Sequence, residues 1–227
     1  RGPLSAGEEA VDDFILMKSD GYPTYNLAHI VDDIEMGVTH VMRGEEFISS
    51  TPKFLSLYEA LGVPPPFFVT MPVILGPDGK KKLSKRDNAK DVLEYRADGY
   101  LPEALVNFLA LLGWNPGTEQ EFFSKDELIQ AFDLSRMQIS GAGFDEKKLL
   151  SVNQHWMRKL SVEDFILQGD FQVSGTLKLK KIVPLLKDRA RTFMEAREML
   201  SGELSCLFNE PILNRSQLVL KEPEERT

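Results

Sequence analysis

The chain has 227 residues, 42% of them hydrophobic and 27% charged, with a formal net charge of −8, one cysteine and three histidines. That length and apolar content build one large domain or two to three small ones, and no apolar run nears the roughly 18 residues that span a bilayer, so a soluble, cytoplasmic protein with no membrane partner is expected. One cysteine excludes an internal disulfide, three scattered histidines lack metal-ligand spacing, and the negative balance argues against a non-specific nucleic-acid coat while leaving room for local basic patches.

Arg1 to Ala10 is small and polar, starts with neither Met nor an apolar leader, and reads as a connection entered midway, so further chain is expected before residue 1. Val11 to Lys18 reads as a strand running into the hairpin turn Ser19-Asp20-Gly21. Tyr22 to Ala28 is the return arm, and Pro23 confines it to an edge or a strand start. His29 to Gly37 is a short helix closed by Gly37 at the C′ position. Val38 to Arg43 is a buried parallel strand ending on a charge. After Gly44-Glu45-Glu46-Phe47, the run Ser50-Thr51-Pro52 opens a helix with a hydroxyl N-cap and a proline in the first turn. Phe54, Leu55, Leu57, Tyr58 and Leu61 give that helix an apolar stripe, and Gly62 ends it. Phe67 to Leu75, rich in β-branched and aromatic residues, is the next strand, so strand, helix and strand compose a βαβ unit. Its carboxyl edge, where ligands sit in parallel sheets, would carry Arg43, Glu46 and Phe47.

The turn Gly76-Pro77-Asp78-Gly79 leads into Lys80-Lys81-Lys82-Leu83-Ser84-Lys85-Arg86, in which five cations arrive within seven residues. A Lys-rich heptad alone is most simply a solvated basic turn. Overhanging the carboxyl end of a strand, it suits an anion instead. In the same way Arg43 alone is most simply a surface ion-pair member and Tyr25 a rim aromatic, although a planar guanidinium suits a carboxylate better than an ammonium does. The set of residues is more persuasive than any member of it.

Gly21-Tyr22-Pro23-Thr24-Tyr25-Asn26-Leu27-Ala28, Val31-Asp32-Asp33, Gly37 to Glu46, Ser50-Thr51-Pro52-Lys53, Leu75 to Lys80 and Lys82 to Arg86 together closely resemble the glutamyl-tRNA synthetases of bacteria and organelles. The resemblance is most specific over residues 11 to 160. Lys82 to Arg86 is similar to the second signature motif of class I aminoacyl-tRNA synthetases. The first signature, a His-Ile-Gly-His-type sequence, does not occur in the chain. The resemblance places it N-terminal to these residues, so part of the catalytic domain is expected to be missing and the 227 residues alone to be inactive.

The resemblance implies ATP-dependent ligation of glutamate to tRNA through a glutamyl-adenylate, with ATP and Mg2+, glutamate and the tRNA for glutamate as partners, and a monomer with no protein-bound metal site. It implies that Tyr25 and Arg43 hold glutamate, Arg43 pairing with the side-chain carboxylate. Glu46, Phe47, Lys82, Ser84 and Lys85 are implied at ATP, with Lys82 and Lys85 as the catalytic cations. Phe47 stands where Trp is common in the family, His29 stands where Val or Asn is usual, and one more lysine precedes the motif than usual. The chemistry agrees with these roles. Two parallel guanidinium hydrogen bonds select a carboxylate over the amide of glutamine, and ammonium groups stabilise charge that builds on phosphate oxygens.

Beyond the loop the pattern turns helical. Asp91 to Arg96 forms a short helix. Leu101-Pro102-Glu103 starts another, with Ala104, Leu105, Phe108, Leu109 and Leu112 on one face and Gly113 as its stop. Ser124 and Glu127 form a capping box for a helix through Phe132, and Phe144-Asp145-Glu146 begins a helix burying Leu149, Leu150, Val152 and Trp156. Ile182 to Phe193 resembles a helix of the family at this position, and Cys206 reads as a small buried residue. The expected fold class is α/β plus all-α, and the resemblance implies the C-terminal half of a Rossmann-like class I synthetase catalytic domain, then a helical stem-contact domain and the start of an all-helical anticodon-binding domain. The boundaries it implies are 1–24 for the end of an acceptor-binding insertion, 25–86 for the catalytic half, 87–160 for the stem-contact domain and 161–227 for the anticodon-binding part. Basic residues cluster at 80–90, 147–159 and 178–191, and Lys147, Lys148, Arg158, Lys159, Lys187 and Arg191 are the expected contacts to tRNA phosphates. Two alternatives stand beside the ligase: a non-catalytic tRNA-binding module or paralogue, and a glutaminyl enzyme.

Overall fold

The computed structural model of the chain describes Ser5, Gly7, residues 11–84 and residues 90–209. These residues fall into two compact units. The first comprises the described residues within 1–87, 110–121 and 130–144, and the second those within 88–109, 122–129 and 145–227.

In the first unit the turn at Ser19-Asp20-Gly21 forms as expected, with Gly21 at φ +82°, the Lys18 N–H donating to the Tyr22 carbonyl at 2.8 Å and the Thr24 N–H to that of Leu16 at 2.8 Å. The two expected strands do not. One antiparallel bridge, Met17 to Pro23, is all the ladder there is, and a helix α1 begins at once, Tyr25–Glu35. Proline cannot donate to a ladder, and Thr24 turns its hydroxyl back onto the Ile15 carbonyl at 2.8 Å, so the return arm ends where it was expected to begin. α1 closes before Gly37, which holds φ +64°.

Strand β1, His40–Gly44, pairs in parallel with β2, Phe67–Met71, in the register His40 to Phe67 through Gly44 to Met71. The helix between them, α2, Thr51–Ala60, completes the βαβ unit. A 3-10 turn, Glu45–Ser50, runs directly into α2, so Ser50 has helical φ and ψ and no hydroxyl cap forms; instead the Thr51 hydroxyl donates to the Phe47 carbonyl at 2.9 Å. The expected strand Phe67 to Leu75 is broken by Pro72, and its remainder, β3, Ile74–Leu75, pairs in parallel with β4, Ala142–Gly143. The backbone passes close enough that a Cβ at Gly141 would lie 3.0 Å from Leu75 and Val73 side-chain atoms. The core of this unit is Ile30, Phe54, Leu57 and Tyr58, with Phe14, Leu16, Ile34, Phe47 and Phe68 packed against it.

The second unit is helical. α3, Val92–Ala97, starts on an Asp91–Glu94 capping box. α4, Pro102–Ala110, buries Ala104, Asn107 and Phe108. α5, Lys125–Ala131, opens on the Ser124–Glu127 box, with both reciprocal hydrogen bonds formed. α6, Glu146–Lys159, is capped by the Asp145 carboxylate and buries Leu149, Val152, Asn153 and Met157. α7, Val162–Gly169, and α8, Thr176–Arg189, follow. The expected helix over 182–193 is in fact two. α8 ends at Arg189, Ala190 is extended, and Thr192 caps a new helix, α9, Phe193–Ser201, with its hydroxyl on the Glu195 N–H. One core joins α4, α6, α7, α8 and α9 through residues such as Ala104, Val152, Phe165, Leu186 and Ala196. Cys206 is exposed, contrary to expectation, because the 3-10 turn Ser205–Leu207 presents it to solvent.

Candidate active site

Two parallel strands put their carboxyl ends at one edge, and the chain just after β1 supplies most of the polar groups there. Arg43, next to last in β1, is drawn inward and is only 16% exposed. Its guanidinium carbon lies 5.2 Å from the ring centroids of both Phe47 and Phe54. Its Nη2 lies 4.0 Å from the Asp33 carboxylate, and its Nη1 is buried with no hydrogen-bond partner. Tyr25, in the first turn of α1, is exposed; it stacks on His29 at 4.7 Å and approaches Phe47 at 6.5 Å. The fold thus gathers Tyr25, Arg43 and Phe47 around one small region, with a void of about 20 Å³ beside Arg43, Phe47 and Phe54. His29 Nδ1 lies 2.7 Å from the Tyr25 carbonyl, which only an Nδ1–H can satisfy.

Next to this lies an open cleft of about 710 Å³ lined by Glu45, Glu46, Ile48, Ser49, Val73 and Lys82. The Lys82 ammonium donates to the Glu46 carboxylate at 3.1 Å across it. Glu46 is held below the usual carboxylate range, first by its own backbone N–H and then by Lys82. Gly44 makes this possible, since a Cβ there would collide with the folded-back Glu46 carboxylate. The loop carrying Lys82 is a short hairpin. The Gly76 N–H donates to the Lys81 carbonyl at 2.8 Å, the Leu83 N–H to that of Ile74 at 2.8 Å, and Gly79 turns the chain at φ +65°. The Asp78 carboxylate accepts from the backbone N–H groups of Lys80 and Lys81, which hold it below its ordinary range. Ser84 is half-buried at the end of this segment, and Lys85 lies outside the described residues.

The basic residues expected at RNA are all in the second unit. Lys147 and Lys148 are exposed in the first turn of α6. Arg158 donates to the Lys187 and Asp188 carbonyls and pairs with the Asp188 carboxylate at 3.2 Å. Lys159 lies 4.9 Å above the Trp156 ring, and Lys187 is turned onto the Leu160 carbonyl, where burial lowers its pKa. Arg191 makes an ion pair with Glu195 at 2.8 Å. Arg158, Lys187 and Arg191 engage partners within their own unit, as Lys159 does through the Trp156 ring. Asp33 and Phe54 were not singled out in the sequence. The only available signal was that Asp33 falls within the Val31-Asp32-Asp33 run, and Phe54 read as an ordinary member of an apolar stripe.

A parallel βαβ edge bearing an arginine beside two aromatic rings, next to a cleft spanned by a lysine hairpin, is an arrangement that suits anionic ligands. Residues 1–151 match the family described as tRNA synthetases class I (E and Q), catalytic domain, and the chain belongs to that family. It is 43% identical over 202 residues to a glutamate–tRNA ligase of Nitrosomonas europaea, covering 86% of this chain and 43% of that protein. It is 44% identical over 207 residues to a glutamate–tRNA ligase of Nitratidesulfovibrio vulgaris, covering 88% of this chain and 44% of that protein. The chain therefore spans less than half the length of these relatives. The crystal structure of a glutamate tRNA ligase from Elizabethkingia meningosepticum in complex with its amino acid superposes with a TM-score of 0.79 at 36% identity, over 95% of this chain and 47% of that one.

Proposed function

We propose that this chain supplies the second half of the active site of a glutamate–tRNA ligase. In this reading Arg43 and Tyr25 hold glutamate, and Glu46, Phe47, Ser84, Lys82 and Lys85 attend ATP. The observation that carries it is the Arg43 Nη1, a buried guanidinium nitrogen with unfilled donor capacity, clamped between two aromatic rings at the strand edge. Buried donors are nearly always satisfied, so one held open inside a site favours a ligand that completes it. A carboxylate does so with two parallel hydrogen bonds, whereas the amide of glutamine would set N–H against N–H. The reaction then proceeds by attack of the glutamate α-carboxylate on the α-phosphorus of ATP, which forms glutamyl-adenylate and releases pyrophosphate, and by attack of a terminal adenosine hydroxyl of the tRNA on the adenylate carbonyl, which forms the ester and releases AMP. Lys82 leaves Glu46 for the phosphate oxygens as their charge builds, and Lys85 joins it there.

Among the described residues no three His, Cys, Asp or Glu side chains converge as a metal cage. Mg2+ is compatible with that arrangement, because it commonly binds through substrate phosphates and water with one or two carboxylates. The 227 residues by themselves are proposed to be inactive, since no His-Ile-Gly-His-type sequence occurs among them. Residues 87–160 and 161–227 are proposed as the stem-contact and anticodon-binding parts, with Lys147, exposed in the first turn of α6, as the first RNA contact to test. A ligase is favoured over a non-catalytic binding module because such a module has no use for a buried carboxylate receptor beside a lysine loop. The test is glutamylation of glutamate tRNA by the intact protein with ATP; tRNA binding without ligation would point to the module, and ligation of glutamine to the glutaminyl enzyme.

A further inference from the structure

In the first unit, α1, β1 and α2 each contribute one polar side chain to the same buried place. Asp33 Oδ2, Arg43 Nη1 and the Tyr58 hydroxyl are all buried with no hydrogen-bond partner. The Asp33 and Arg43 side chains are 21% and 16% exposed, and Tyr58 is 2% exposed. Burial first raises the Tyr58 phenol, and the Asp33 carboxylate beside the hydroxyl, short of hydrogen-bond geometry, adds to that rise while Arg43 opposes it. The Asp33 carboxylate and the Arg43 guanidinium face each other at 4.0 Å, near enough to attract and too far for a closed hydrogen bond. Three unfilled polar groups in one small core need a reason, because each costs free energy when water is excluded.

We propose that Asp33 is a positioning residue that aims Arg43 at its carboxylate ligand and thereby sets the preference for a carboxylate over an amide. The inference rests on the reading of Arg43 given above. The Phe47 and Phe54 rings lie 5.2 Å from the guanidinium carbon and limit where the group can sit, but rings alone do not decide which nitrogen is left with unused donor capacity. Asp33 decides it. The carboxylate draws Nη2 toward α1 and leaves Nη1 as the nitrogen with open donor capacity. Turning the guanidinium away would leave Asp33 as an uncompensated charge in a poorly hydrated place, so the ion pair resists rotation. Asp33→Asn keeps the shape and removes the charge that does the aiming. The guanidinium is then free to reorient, and its advantage for an oxygen-only ligand over an amide diminishes.

The experiment is steady-state aminoacylation by the intact protein as Asp33→Asn, Arg43→Ala and the parent, with glutamate, glutamine and ATP varied separately. The expected result for Asp33→Asn is a KM for glutamate raised about tenfold, kcat and the KM for ATP within about twofold, and a smaller glutamate-to-glutamine preference. A merely structural role would move the KM for ATP and kcat together with the KM for glutamate. If Arg43→Ala impairs glutamate use and Asp33→Asn does not, the positioning role is overturned and the carboxylate receptor stands. If Arg43→Ala leaves glutamate use intact, the receptor itself is overturned. Should Asp33→Asn not fold, Asp33→Glu, which keeps the charge but displaces it by one methylene, must show the same selective rise in the KM for glutamate; equal effects on ATP would refute the proposal.

Discussion

Lys82 and Glu46 are each more than half exposed, so their ion pair contributes little to stability even though it spans the cleft. Lys82→Ala is therefore expected to shift the melting temperature by less than about 2 °C while lowering aminoacylation about 100-fold to 1,000-fold, the usual loss for one electrostatic donor. A calorimetric scan beside an initial-rate assay checks both halves. Lys85→Ala should lower the rate at least about tenfold without unfolding the protein. His155 has a different consequence. It lies flat on Phe122 at 3.6 Å with its Nε2 buried and unpartnered, and burial first, then Lys159 and Arg158, depress its pKa. The imidazole is neutral in the fold, while the unfolded chain protonates at the ordinary value. The stability this contributes is therefore present above about pH 6.5 and lost as pH falls from there through the depressed value. Denaturant midpoints between pH 7.5 and 5.5 should fall in the parent and fall less in His155→Phe; parallel slopes would refute the assignment.

At the scale of elements, α6 is fixed to its neighbours through Asn153, which is wholly buried. Its Oδ1 accepts from the Leu101 N–H at 2.8 Å, ahead of α4, and its Nδ2 donates to the Arg191 carbonyl at 2.6 Å, between α8 and α9. Asn153→Ala strips both backbone groups of their partner and should cost about 2–4 kcal/mol, readable in denaturant unfolding. Gly99 joins the same region. It holds φ +84°, its carbonyl accepts from the Phe193 N–H at 3.1 Å, and a Cβ would lie 2.6 Å from that of Phe193. Both strain and collision disfavour Gly99→Ala, which should lose about 1–3 kcal/mol in the same measurement. Most elements were legible because their signals are local: the Ser124–Glu127 and Asp91–Glu94 boxes, the stops at Gly37 and Gly62, and the β1–α2–β2 unit. The misreadings come from nearby backbone and side-chain groups that compete with the expected local signal. Thr24 answers Ile15 instead of extending a strand, the turn after β1 absorbs the Ser50 cap, and Thr192 starts a helix inside what reads as one.

For the molecule as a whole, the sequence shows an orderly succession of segments, whereas the compact units interleave them. Residues 110–121 and 130–144 return to the first unit because β4 pairs with β3 and because the Gln138 N–H reaches the Gly113 carbonyl at 2.9 Å; nothing in the local composition announces a two-residue parallel pairing. The candidate site was legible to a greater extent. Tyr25, Arg43, Phe47, Glu46 and Lys82 do come together, since motif residues of a βαβ edge lie close in sequence to the strand ends that carry them. Asp33 and Phe54 were not legible, because only the packing of α1 and α2 against β1 brings them to Arg43. The account turns on that guanidinium. Its most direct test is aminoacylation of glutamate tRNA by the intact protein and its Arg43→Ala variant, with glutamate and glutamine in parallel. The parent should ligate glutamate in strong preference to glutamine, and Arg43→Ala should lose about 100-fold or more in kcat/KM for glutamate while remaining folded at the assay temperature, with a lowered melting temperature because Asp33 loses its partner. Near-parental glutamate ligation by Arg43→Ala would contradict it.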